Sequence, residues 1–264
     1  MNIRITVRRQ ASPEEKPYLQ SFEYEGDGNL TVADWLTEVN QGAAKTNRIS
    51  WECGCQEEKC GACAMRINGV PMLACAQFLK DMATKEGSQR SSSGVTKNRS
   101  GDPSDSLPEG SAEAAPKLTS EDSVLDGIIL LEPLSKFPLI QDLTVDRTSM
   151  FDILREMKVW TDDTGGTDYG KDRELELEAG ECLQCGCCLE VCPNFLAGKN
   201  FSGAAGLVAA YRAIEQNAQD AHRQEMKKEY RKKFFAGCGQ SLSCQEVCPK
   251  NLPIDEIQAR ANHR

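Results

Sequence analysis

Thirteen cysteines stand against two histidines in this chain, and eleven of them fall into three spaced groups. Cys55, Cys60, Cys63 and Cys75 are spaced C-x4-C-x2-C-x11-C. Cys182, Cys185, Cys188 and Cys192, followed by Pro193, are spaced C-x2-C-x2-C-x3-C-P. Cys238, Cys244, Cys248 and Pro249 repeat the second template, with Ser241 in the slot of its second cysteine. An odd count without an export signal argues against a disulfide framework, and grouped reduced cysteines mean metal. Zinc sites usually pair C-x2-C units. The C-x4-C-x2-C triple is instead the plant-type [2Fe–2S] spacing, and the second run is that of bacterial ferredoxins.

In two-cluster ferredoxins the fourth cysteine of each run serves the other cluster. Crossing the two runs assigns Cys182, Cys185, Cys188 and Cys248 to a [4Fe–4S] cluster. Cys192, Cys238 and Cys244 remain, and three thiolates predict a [3Fe–4S] cluster. A serine hydroxyl is a far weaker iron ligand than a thiolate, so Ser241 accounts for the missing iron. Cys53 and Cys187 are surplus. Only Cys55 gives the x4 spacing, and Cys187 suits the role of a small buried hydrophobe. Gly54 and Gly61 mark a short loop able to turn backbone N–H groups toward sulfur.

The elements that must position these groups differ along the chain. Ile3, Ile5 and Val7 share one face of a strand, and Phe22 and Tyr24 one face of another. Thr31 is a helix N-cap ahead of Val32, Trp35, Leu36 and Val39 at helical spacing. Ile128–Leu131 is a buried strand that the first domain needs to complete its sheet. The aromatic-free, Ser/Gly/Pro-rich segment 84–122 is therefore expected as a long loop inside domain 1. From Thr148 the pattern turns helical, with Phe151, Leu154 and Met157 on one face and Leu207, Tyr211 and Ile214 on another. His222 to Lys233 is a charged, mostly basic helix. The expected division is residues 1–146 and 147–264.

Composition removes several classes of function. A net charge of −9 lacks the basic footprint of nucleic-acid binding. The longest apolar stretches fall short of the roughly 18 residues a membrane span needs. The N-terminus alternates polar and apolar residues as a strand does, so the chain is expected to stay in the cytoplasm and meet a membrane only through a partner. Neither His222 nor His263 sits in a catalytic constellation, and no glycine loop is placed to cradle phosphate.

One plant-type site followed by a crossed bacterial-type pair resembles the iron–sulfur subunit of the succinate dehydrogenase and fumarate reductase family. The likeness extends through residues 61–69, 132–138, 203–207 and 246–250, nearly the whole chain outside 84–122. The resemblance implies an α+β protein: an N-terminal β-grasp [2Fe–2S] ferredoxin domain, then an all-α helical ferredoxin domain. It implies single-electron conduction between an FAD-containing flavoprotein subunit and a quinone held by a haem-binding membrane anchor. The place would be the cytoplasmic face of the inner membrane. Domain 1 would face the flavin and the [3Fe–4S] cluster the quinone. Ubiquinone-using relatives carry tryptophans shortly after the Pro that follows the fourth cysteine, and a histidine after the first cysteine of the last motif. Leu196, Ala197 and Gly239 stand there instead, which points to menaquinone. The rivals are an iron–sulfur subunit of another flavin-linked oxidoreductase on the same two modules, and a zinc-organised interaction protein.

Overall fold

The computed structural model describes residues 1–83, 125–161, 173–217 and 220–263. The predicted loop 84–122 therefore lies wholly outside the described residues. Five strands form one mixed sheet: β1 (Asn2–Arg9), β2 (Tyr18–Glu25), β3 (Ala64–Ile67), β4 (Val70–Leu73) and β5 (Gly127–Glu132), in the order β2-β1-β5-β3-β4. β1 pairs antiparallel with β2 and parallel with β5, and β3 pairs antiparallel with β5 and β4. Ile3, Ile5 and Val7 are fully buried on one face of β1, as period-2 alternation requires. β5 lies at the centre with five of its six residues buried, which is why its sequence is a continuous apolar run.

Helix α1 (Val32–Gly42) packs on this sheet, with Trp35 edge-on to Phe22 at 5.4 Å between ring centroids. Thr31 caps it, and Asp34 answers by accepting from the Thr31 backbone N–H, closing a capping box. A helix held across a mixed sheet is the β-grasp arrangement. β3 and β4 are joined by the two-residue turn Asn68–Gly69, both with positive φ, the geometry that tight hairpins favour. The one-turn helix α2 (Leu79–Met82) and the small hairpin of β6 (Leu139–Gln141) and β7 (Thr144–Val145) complete this half. Arg9 and Asp142 form an ion pair at 3.0 Å, their side chains only 7% and 2% exposed. Asp142 also accepts from the backbone N–H groups of Gln10 and Ser50, so it ties three distant segments together.

The remaining elements are helices: α3 (Thr148–Glu156), α4 (Arg173–Gly180), α5 (Cys187–Glu190), α6 (Gly203–Gln216), α7 (Asp220–Lys233), α8 (Ser243–Glu246) and α9 (Ile254–Asn262). Their core gathers Met157, Leu207, Tyr211, Met226, Tyr230 and Ile257 around α6, which is buried along most of its length. One expectation needs correction. On α3 the buried positions are Met150, Ile153 and, just beyond, Met157, while Phe151 is 49% exposed. Met157 of the expected face is buried, but Ile153 packs with it in the core around α6 and Met150 in the core shared with the sheet half, which leaves Phe151 outside.

The two halves meet in one continuous core that joins Leu134 and Phe137 to Cys187, Leu189 and Phe195. Polar contacts reinforce this junction. Glu190, buried on α5, accepts from the backbone N–H groups of Ser135 (3.0 Å) and Lys136 (3.1 Å) and from the Ser135 hydroxyl (2.6 Å). Lys136 donates to the carbonyl of Cys192.

Candidate cluster-binding sites

The first cysteine set is built by a loop and a hairpin. Positive φ at Gln56, Glu58 and Gly61 coils the segment 54–62 so that successive N–H groups face inward. The N–H groups of Glu57 and Lys59 donate to Cys55 Sγ at 3.3 and 3.2 Å, and those of Cys55 and Ala62 to Cys60 Sγ at 3.3 and 3.5 Å. Gly54 is needed because a Cβ there would stand 2.7 Å from Cys60 Sγ. Cys63 and Cys75 come together through the β3–β4 hairpin, whose register pairs Ala64 with Leu73 and leaves their sulfurs 3.4 Å apart. That register is the reason for the x11 spacing. The backbone donors pull the Cys55 thiol down to about 7, whereas burial pushes Cys63 up to about 12. Cys53 is exposed and accepts only from Gln56, outside this set.

Cys182, Cys185, Cys188 and Cys248 line one pocket of about 410 Å³, counted with the space at its mouth. Ala204, Ala205, Val208, Leu252 and Ile254 make much of the remaining wall apolar, with Gln184 and Lys250 also lining it. Burial, then the neighbouring sulfurs, pushes the Cys182 thiol up to about 11 and Cys188 well above the ordinary range. Cys185 moves the other way, to about 7, chiefly because the Cys187 thiol hydrogen-bonds to it. Cys187 is fully buried. Cys182 and Cys188, whose charge burial and neighbouring sulfurs disfavour, are poorly suited to stand as thiolates on their own; cationic iron would make the deprotonated form favourable.

Cys192, Cys238 and Cys244 line a second pocket of about 400 Å³, counted with the space at its mouth, and Ser241 lies on the same wall. Cys192 thus lies with Cys238 and Cys244, and Cys248 with Cys182, Cys185 and Cys188. Burial, then Cys192 and Cys238, pushes the Cys244 thiol up to about 11. Gln258 donates to Cys238 Sγ at 3.5 Å, and Asn194 donates to Gly237 O at 2.6 Å. Gly239 lies on this pocket's rim; Leu196 is 53% exposed on the surface, and Ala197 packs against the core junction, neither of them lining it. Among the described residues no three His, Cys, Asp or Glu side chains converge on a point as ligands of a single ion would. Each thiolate of a four-iron cluster goes to its own iron, so sulfurs spaced around a cavity suit the larger group.

Several contributors escaped the sequence reading. Gln258 carries one faint signal, a polar residue beside Ile254 and Ile257 on the buried face of α9. Gln184, which donates to Cys182 Sγ at 3.4 Å, sits between two cysteines and was legible only as loop. Arg147 joins the first two sets and gave no local signal. Its Nη1 donates to Gly61 O and Cys185 O, and its Nη2 donates to Ala62 O.

A β-grasp module and a helical module, each lined with cysteine sets of ferredoxin spacing, define an iron–sulfur electron-transfer protein. Comparison with known proteins narrows the class. Residues 3–152 match the family model of a 2Fe-2S iron-sulfur cluster binding domain, and residues 178–252 that of a 4Fe-4S dicluster domain. The chain is 29% identical to the succinate dehydrogenase iron-sulfur subunit of Bacillus subtilis (strain 168), over 98% of this chain and 91% of that one. It is 26% identical to the fumarate reductase iron-sulfur subunit of Wolinella succinogenes, over 96% and 92%. A solved chain of the Mycobacterium smegmatis Sdh1 complex in the apo form shares the fold, with a TM-score of 0.67 at 17% identity over 100% of this chain and 96% of that one. The chain belongs to the family of succinate dehydrogenase and fumarate reductase iron–sulfur subunits.

Proposed function

We propose that this chain conducts single electrons between the flavin of an FAD-containing partner subunit and a quinone, menaquinone, held by a haem-binding membrane anchor. The residues divide into a [2Fe–2S] module, 1–146, and a module for [4Fe–4S] and [3Fe–4S] clusters, 147–264. The observation that carries the reading is the order of the three cysteine sets. The first touches the second where Gly61 meets Cys185, and the second adjoins the third through Cys188 and Cys192 around α5 and through Cys244 and Cys248 around α8.

Bound clusters supply one-electron steps that split the two-electron event at a flavin. The chain's own residues do the rest. Backbone N–H groups at 55, 57, 59 and 62 stabilise charge on the first set, the apolar wall around Val208 and Leu252 excludes water from the second, and Gln258 donates to the third. Among the described residues no helix is long and apolar enough to cross a membrane. Membrane attachment, at the cytoplasmic face, thus falls to the partner.

Iron and sulfide analysis of the purified complex tests the cluster content, with about nine irons per chain expected from two, four and three. Ser241→Cys supplies the absent thiolate, so its electron paramagnetic resonance spectrum should exchange a [3Fe–4S] signal for a [4Fe–4S] one. An unchanged spectrum would sink the cross-ligation scheme. Reduction of ubiquinone with no activity toward menaquinone analogues would refute the quinone assignment.

A further inference from the structure

Arg147 stands two residues past the end of β7 and reaches into the seam between the first and second cysteine sets. Its Nη1 donates to Gly61 O at 3.1 Å and to Cys185 O at 3.0 Å, and its Nη2 donates to Ala62 O at 2.8 Å and pairs with Glu52. Gly61 and Ala62 lie between Cys60 and Cys63, so one side chain grips both ligand loops. Gly61 has φ +72°, and a Cβ there would lie 2.7 Å from Cys185 Cβ and 3.0 Å from its Cα. The two loops therefore meet with nothing between them.

The Arg147 side chain is only 11% exposed, so water screens its charge poorly. Three carbonyls satisfy its donors but do not neutralise it, and its carboxylate partner Glu52 is 40% exposed. A buried cation in this position calls for negative charge nearby, and ligated thiolates on both flanks would provide it.

We propose that Arg147 is a positioning residue for the electron hop between the first and second clusters, holding their ligand loops in contact and favouring the reduced form on either side. The inference rests on the cluster reading above. In the hop one electron leaves the first cluster, which is oxidised by one, and enters the second, which is reduced by one. No bond forms or breaks and no proton moves. A fixed positive charge favours the form that carries the extra electron, so it raises the potential of the neighbouring couples.

Three variants of the intact complex, titrated under electron paramagnetic resonance, test this. Arg147→Met should weaken reduction of the first and second clusters on the order of tenfold, which is about 59 mV for a one-electron couple, while the third cluster stays in place. Arg147→Lys keeps the charge and should recover most of the shift. Glu52→Gln removes the opposing charge and leaves Arg147 where it is, so the first cluster should shift in the opposite direction. A purely structural clasp predicts no such reversal. Unmoved potentials in Arg147→Met overturn the inference, as does a Glu52→Gln shift in the same direction as Arg147→Met. Should Arg147→Met not assemble, Glu52→Gln and Arg147→Lys decide by sign and by retention. A wild-type sample lacking [2Fe–2S] and [4Fe–4S] signals would overturn the cluster reading itself, whereas normal signals with unmoved potentials overturn only the role of Arg147.

Discussion

Around Cys55 and Cys60 the protein is open to solvent and meets sulfur with backbone N–H groups; around Cys182, Cys185 and Cys188 it encloses sulfur among apolar helices. The thiols register the contrast. Cys55 is drawn down to about 7 by the N–H groups of Glu57 and Lys59, while Cys182 is pushed up to about 11 by burial. A loop can organise anion-binding dipoles before any metal arrives. In the helical cavity burial outweighs the Gln184 donor on Cys182, so the site depends more on the metal to make its thiolates favourable. The first site should therefore be local and separable, and the second bound up with the helical core.

The largest test of that contrast is to remove one cysteine from each side. Cys188→Ala should empty the second set and, because α6 and α9 help wall both helical pockets, the third as well, lowering iron from about nine to about two per chain. Cys60→Ala should cost only the first cluster and leave about seven irons. Equal losses in the two variants would erase the distinction.

Within the sheet half, Asp142→Ala strands the buried Arg9 and removes acceptors for Gln10 and Ser50. Breaking one partner of such a pair costs about 3–5 kcal/mol. Denaturant unfolding followed by the fluorescence of Trp35 and Trp51 should show the loss, and a midpoint within error of wild type would contradict it.

Alkylation of the metal-free chain sharpens the comparison of the thiols. The Cys55 pKa is lowered in the fold, so its thiolate persists until pH falls through about 7, below the ordinary range near 9. Its labelling midpoint, read by mass spectrometry, should lie near pH 7. Cys63 and Cys182 should stay unlabelled until well above pH 9, because burial raises both. The smallest effect belongs to the helix cap: Thr31→Ala should lower the stability of the sheet half by about 1 kcal/mol, visible as a modest fall in its melting temperature.

The strand faces of β1 and β5, the start of α1 and the helical character beyond Thr148 were legible because each depends on neighbours within a few residues. Period-2 alternation places Ile3, Ile5 and Val7 together, and a threonine ahead of an apolar helical stripe needs no tertiary context to cap it. The face of α3 was not legible. Met150 and Phe151 differ little in sequence terms, and only the packing of the core shared by the two halves buries the first and leaves the second exposed.

Chemistry at the cysteines was determined by the sequence, because a thiolate's ligand capacity and the reach of its loop are local properties. The x4, x2 and x3 spacings express them directly, and Ser241 does so by lacking sulfur. The contacts that join the sites were decided by tertiary structure alone. Arg147 stands 86 residues from Gly61 and 38 from Cys185, and Glu190 stands 55 from Ser135. A single charged residue leaves no periodic signal. Its partners exist only once the sheet and the helices have closed on each other, because burial is what turns an ordinary arginine or glutamate into a joint between two sites.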